Sequence, residues 1–219
     1  MDNEKDFKQY SFINEYFFNL FYALFGDIFK VIKLRNFSTY YLNGSTDKEF
    51  SYYCSLFVQM VNDLNISSTL LLYESMHRVF SKVFFHFTLS EFFHSSVAEL
   101  HGKSNFIKPR QSSLYLNAFI TFCYLENIRK LTGPLVITSG YRSAPVNKLV
   151  SGAVPNSFHI RASACDIRIP YRVPTTDSLT LSASQNLDFL FSILQTLPVR
   201  YTYKGVSYVH FDNKITVES

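Results

Sequence analysis

No tryptophan occurs in this chain of 219 residues, although it carries 23 phenylalanines and 15 tyrosines. Glycine is scarce, with 7 residues. No Walker or dinucleotide-binding glycine pattern is present, which excludes the usual phosphate cradles. Cys54, Cys123 and Cys165 are odd in number, widely spaced and without a Cys-x-x-Cys pair. That argues against a disulfide framework and for three small buried hydrophobes in a chain made in a reducing compartment. Charged residues are only 17% against 47% hydrophobic, so a core is easily built and wholesale disorder is not expected. The net charge of +4 suits an anionic partner such as wall polymer or lipid head groups. No nucleic-acid reader motif accompanies it, so nucleic acid is not an expected partner.

Long clean apolar runs are also missing. The most apolar stretch, Tyr16 to Ile32, is interrupted by Asn19, Asp27 and Lys30 and falls short of the roughly 20 residues that a spanning helix needs. It reads as a helix packed in a core or on a partner, with a membrane-surface helix as the alternative. The N-terminus, Met-Asp-Asn-Glu-Lys-Asp, is acidic where a secretory signal is basic, so no signal peptide is expected and synthesis is placed in the cytoplasm. A second apolar helix is predicted from about Ser67 to Phe85, after a polar stretch at Asn43–Lys48. Residues 1 to about 80 therefore form a helical, aromatic-rich extension.

A new unit begins near Phe87. Thr88-Leu-Ser-Glu91 has capping-box spacing and opens a helix to about Leu100, closed by His101-Gly102. Pro109 precedes a longer helix to about Lys130, with Leu116, Phe119, Ile120 and Cys123 on one face. Leu135–Thr138 reads as a short buried strand, followed by a loop from Ser139 to about Arg161. Ala164–Ile169 alternates as a strand, with Ala164, Asp166 and Arg168 on one face. A helical stripe runs from Leu187 to Leu197, and Val206–Phe211 is the last strand, with Tyr208 and His210 sharing a face.

His159, Asp166 and His210 form a candidate metal set: two imidazoles and one carboxylate leave zinc one open position, as hydrolytic zinc requires. His159 and Asp166 lie seven residues apart. On one helix they would sit roughly 10.5 Å apart along the axis. Ligands of one zinc approach to within roughly 3.5 Å, so a loop turning into a strand must carry the pair. His77, His86, His94 and His101 read as ordinary core or surface histidines.

The stretch ITSGYRSAPVNKLVSGAVPNSFHIRASACDIRI, followed by YVHF, resembles the zinc D-Ala-D-Ala carboxypeptidases and phage endolysins of the peptidase M15 family. That family carries a Ser-Gly-Tyr-Arg-Ser loop, a Ser-x-His-x6-Asp element and a later aromatic-Val-His strand, here in the same order. HFTLSEFFHSSVAELHG is similar to the lead-in of the phage-type branch, and the resemblance spans about residues 86 to 213. It implies an α+β fold of the hedgehog/DD-peptidase kind: a small, mostly antiparallel sheet with helices on one side. It implies one Zn2+ held by His159, Asp166 and His210, with Arg142 polarising the scissile carbonyl and stabilising the oxyanion. Ser157 and Tyr141 match cleft positions, where Ser157 can also simply cap its turn, and Tyr141, Ser143 and Asn147 fit the family loop as residues that shape it.

The family's usual glutamate before the last histidine has no counterpart, since Ser207 stands there and no carboxylate lies between Asp188 and His210. Asp212 is the remaining candidate for proton transfer, about 6.8 Å beyond His210 on the same side of a strand. It either acts through a water or is an ordinary exposed carboxylate. The expected activity is zinc-dependent hydrolysis of peptidoglycan stem peptides by a phage-encoded enzyme that reaches the wall through lysis or within a virion. The alternative is a non-catalytic wall-binding or virion module that keeps the fold. Residues 1–80 then offer a membrane-surface or assembly contact.

Overall fold

The computed structural model describes residues 11–26, 48–170 and 182–214. The predicted helix beyond Gly26 and the polar stretch before Lys48 lie outside the described residues. Among those described, three helices come first: α1 (Ser11–Phe25), α2 (Lys48–Asp63) and α3 (Thr69–Phe80). Short helices α4 (Leu89–Phe93) and α5 (Ser96–Leu100), a 3-10 turn at Pro109–Gln111 and the long α6 (Leu114–Thr132) follow. Then come β1 (Val136–Ser139), α7 (Ala144–Asn147), a 3-10 turn at Phe158–Arg161, β2 (Ala164–Arg168), α8 (Ala183–Thr196), β3 (Val199–Lys204) and β4 (Val209–Asn213). The fold is α+β, with one sheet ordered β1-β2-β4-β3 in which every pairing is antiparallel.

Local chemistry explains most boundaries. The Thr88 and Glu91 side chains close the expected capping box at the start of α4. The single helix predicted to Leu100 is instead two, because His94 is extended and the Ser95 hydroxyl caps a fresh turn by accepting from the Ala98 amide. The last strand also differs from expectation: Gly205–Tyr208 forms a turn, with the Gly205 amide donating to the Tyr208 carbonyl, and β4 starts at Val209. Its partner β3 begins directly after Pro198, where the periodicity of α8 hid it.

One face of the sheet is apolar: Cys165, Ile167, Val209 and Phe211 are fully buried in the core. Leu190 and Leu194 of α8 join them there. The opposite face carries Asp166, His210 and Asp212. Behind the apolar face runs α6, expected to be amphipathic but buried on all sides, from Tyr115 and Leu116 through Phe122 and Leu125. The sheet and α8 cover one side of it, and the N-terminal helices cover the other. Phe17 of α1 stacks on Phe119 of α6 with ring centroids 4.6 Å apart, and Phe57 of α2 approaches the same ring at 5.1 Å. The described helices of the N-terminal region thus share one core with the sheet. Phe119→Ala should lower stability by about 3–5 kcal/mol, as a urea titration would measure, by opening a cavity among these rings. All three cysteines are buried. No described helix is long and apolar enough to cross a membrane.

Candidate metal centre

In the β2–β4 ladder Asp166 lies directly opposite His210. Directly opposed residues share a face and bring their Cβ atoms to about 5 Å, so the pairing register alone joins this carboxylate to this imidazole. His210 Nδ1 lies 2.7 Å from Asp166 Oδ1. His159 enters from the 3-10 turn before β2, its Nε2 3.4 Å from the same oxygen. One ligand atom from each of the three lies within 4.8 Å of the others. His159 and Asp166 are almost fully buried, and His210 is partly open to the cleft.

Each imidazole is oriented by its second nitrogen. His159 Nδ1 stands 2.6 Å from the Gly140 carbonyl, to which it donates, so Nε2 is the nitrogen turned toward Asp166. His210 Nε2 lies 2.9 Å from Asp212 Oδ1. The other oxygen of Asp166, Oδ2, accepts from Arg142 Nη2 at 2.9 Å, while Arg142 Nε donates to Ser139 Oγ at 2.9 Å. Metal-binding histidines are typically fixed in this way by a carbonyl or carboxylate behind the ring. The charges agree with a cation site. Burial alone would push the His210 pKa down, but the Asp166 and Asp212 carboxylates on either side hold it up at about 9. Burial would likewise raise Asp166, and its hydrogen bonds to His159 and His210 instead hold it well below the usual carboxylate range. Without metal, His210 is an imidazolium bridging two carboxylates, and the proton on Nδ1 occupies the position a cation would take. The donor set therefore fits a divalent ion.

Backbone devices far from the three ligands hold this geometry. A Cβ on Gly140 would stand 2.3 Å from the Phe92 carbonyl oxygen, so only glycine lets the loop after β1 press onto α4. Asn105 Nδ2 donates to the Phe93 and Tyr141 carbonyls, and its Oδ1 accepts from the Ser143 amide at 2.7 Å. Ala162 closes the His159 turn with φ of 55°, a left-handed conformation costly for a residue with a side chain. Asn117 and Thr121 of α6 clamp that turn by donating to the Arg161 and Ala162 carbonyls, both at 2.9 Å. We expect Gly140→Ala to cost about 1–3 kcal/mol through overpacking. It should also weaken metal binding by about tenfold or more through the misplaced carbonyl, read by metal titration alongside urea unfolding.

The other expected site residues divide. Arg142 and Ser157 line a cleft of about 400 Å3 together with all three metal-set residues, Tyr208, Arg200 and Asp212. Ser157 also caps the turn, its Oγ accepting from the His159 amide at 3.3 Å. Tyr141 is not among the cleft residues: its ring is buried against Phe93 at 5.2 Å, on the helix side of the loop. Its place is in the core because the bond from its amide to the Phe92 carbonyl ties that segment to α4. Asp212 is buried rather than exposed, and it reaches the site through His210 and Arg200. Tyr208 lines the cleft with its phenol pKa raised by burial and by the Asp166 charge, so at neutral pH it donates rather than accepts a proton.

Residues 86–188 match the family described as Peptidase M15. This segment of the chain is similar to that family. The match takes in Arg142, His159 and Asp166 and covers just under half of the chain, and His210 joins from beyond its end through the β2–β4 ladder. No curated protein and no solved structure is a match to the chain. The sequence held a signal for Asn117 and Thr121, two polar residues four apart in the apolar first half of α6. For Asn105, Arg200 and the Gly140 carbonyl it held none.

Proposed function

We propose that this protein is a zinc-dependent peptidase that hydrolyses peptide-stem bonds of bacterial peptidoglycan. The observation that carries the reading is the convergence of His159, Asp166 and His210 in an open cleft, each imidazole held from behind. A zinc ion bound by these three residues would polarise the scissile carbonyl and lower the pKa of water toward 7. The chain's own residues supply the rest. Asp212 holds the Nε2 proton of His210 and keeps Nδ1 available. Arg142, locked by Ser139 and Asp166, presents a fixed positive charge to the oxyanion that develops on the carbonyl. Tyr208 adds a hydroxyl that stays protonated and can donate to the substrate.

The phage-type lead-in favours an enzyme made in a bacterial host and acting on the wall at lysis or from a virion. The test is to purify the full chain, measure bound zinc and incubate it with peptidoglycan. Release of stem fragments, abolished in His159→Ala, is the expected result, and zinc-loaded folded protein that releases none defeats the proposal. One observation favours a second reading, a wall-binding module without turnover. The only carboxylates among the described residues lining the cleft are Asp166 and Asp212, and both are engaged by neighbouring side chains. Saturable wall binding with stoichiometric zinc and no cleavage would establish it.

A further inference from the structure

We propose that Arg200 is a specificity-determining residue that receives a substrate carboxylate close to the scissile bond. The proposal rests on the peptidase reading and adds the class of substrate: a peptide bearing a free carboxylate.

The pairing of β3 supports it first. Val199 lies opposite Asn213 and Tyr201 opposite Asp212, so two steps along β3 match one step along β4 and Arg200 is the extra residue of a bulge. In an unbroken strand Arg200 would point away from the face that carries Tyr201, Asp212 and His210. Bulges re-aim side chains. Here Arg200 and Tyr201 both line the cleft that contains the metal set.

The side chain is also held in place without being consumed. Its guanidinium carbon lies 3.9 Å from the centroid of the Phe158 ring, the residue directly before His159. Stacking uses the flat side of the guanidinium and leaves its in-plane N–H donors available, and the ring limits the freedom that would be lost on binding an anion. The nearest carboxylate oxygen, Asp212 Oδ2, is 3.7 Å from Nη2, beyond hydrogen-bond distance, and half of the side chain is exposed.

Charge selects the ligand. Among the described residues, the permanently charged side chains lining the cleft are Arg142, Arg200, Asp166 and Asp212. Two positive charges balance two negative ones, so a bound divalent ion leaves the cleft cationic. Arg142 is committed to Asp166, and Arg200 is the arginine with donors to spare. A carboxylate matches its planar donor geometry.

The experiment uses zinc-loaded full chain and one stem peptide in four forms: free, amidated at the C-terminal carboxylate, amidated at an internal side-chain carboxylate, and amidated at both. We expect one single amidation to lower wild-type kcat/KM about 10–100-fold, the worth of a charged hydrogen-bonded pair, and to identify which carboxylate Arg200 binds. Arg200→Gln should shrink that ratio to near unity, and Arg200→Met, which keeps an apolar stem over Phe158, should do the same if the glutamine variant fails to fold. Equal cleavage of all four peptides by wild type overturns the proposal and leaves the peptidase reading standing. So does a uniform loss on all four in the variants, which would confine Arg200 to bracing Phe158 and Asp212. No cleavage of any form by zinc-loaded wild type overturns both.

Discussion

Asp166→Asn should reduce bound zinc from stoichiometric to background and abolish hydrolysis with it. Asp166 Oδ1 faces both imidazoles and Oδ2 faces the Arg142 guanidinium, so one carboxylate organises three partners. Asparagine preserves shape but removes the charge and places an N–H₂ donor against groups that already donate. Arg142 is then left in a largely buried site without its counter-ion, and the His210 imidazolium keeps only Asp212. Breaking a buried pair from one side typically costs about 3–5 kcal/mol, so the metal-free protein should also be destabilised by an amount of that order. Metal analysis, stem-peptide turnover and urea unfolding check the three parts of the expectation. Asp212→Asn makes the contrast, because an amide oxygen can still accept from His210 Nε2. Its expected loss is only about 10–100-fold in metal affinity. Full zinc occupancy in Asp166→Asn would show that the metal is held elsewhere.

Zinc affinity should rise steeply with pH. His210 binds its proton with a pKa of about 9 in the metal-free protein, and that proton must leave Nδ1 before a metal can bind. Below this value each pH unit should weaken apparent affinity about tenfold, on the order of 10³-fold between pH 9 and pH 6. Competition with a chelator of known pH behaviour reads the slope. The stability of the metal-free protein runs the other way. The His210 pKa is raised from its ordinary 6.5, so its contribution is complete below 6.5 and is lost as pH climbs through about 9. That contribution is about 3 kcal/mol. Asp166 is the other side of the same ion pair: its lowered pKa gives stability that is present above 3.8 and fades as pH falls into the acid range. Metal-free protein should therefore be most stable between these limits, and loading with zinc should remove the decline above pH 6.5. An alkaline stability profile unchanged by zinc would contradict the placement of the metal at His210.

Much of the centre was legible because its parts are local. Thr88 and Glu91 interact across three residues, and the capping box could be read directly. The Ser-Gly-Tyr-Arg-Ser loop and the spacing of His159 and Asp166 required a turn followed by a strand, and the 3-10 turn at Phe158–Arg161 and β2 are what the chain forms there. The α+β class was what the family resemblance implied, and the strand alternation and helical stripes that each span fewer than twenty residues agreed with it. Of the three N-terminal helices, α1 and α3 were legible as apolar helices and α2 was not. What they cover was not legible either, since Phe17 on Phe119 is a contact between segments with no shared periodicity.

Residue types, local turns and the order of the motifs were thus determined by the sequence alone, because capping, strand alternation and ligand chemistry act over a few neighbours. Tertiary structure decided which partners those residues meet. It set Asp166 opposite His210, put Asp212 behind His210, sent Tyr141 into the core and turned Arg200 into the cleft through a bulge. Each of these depends on the register between strands distant in the chain. Register is chosen by the summed burial of both sheet faces, and a shift of one residue would have exchanged the metal face for the core.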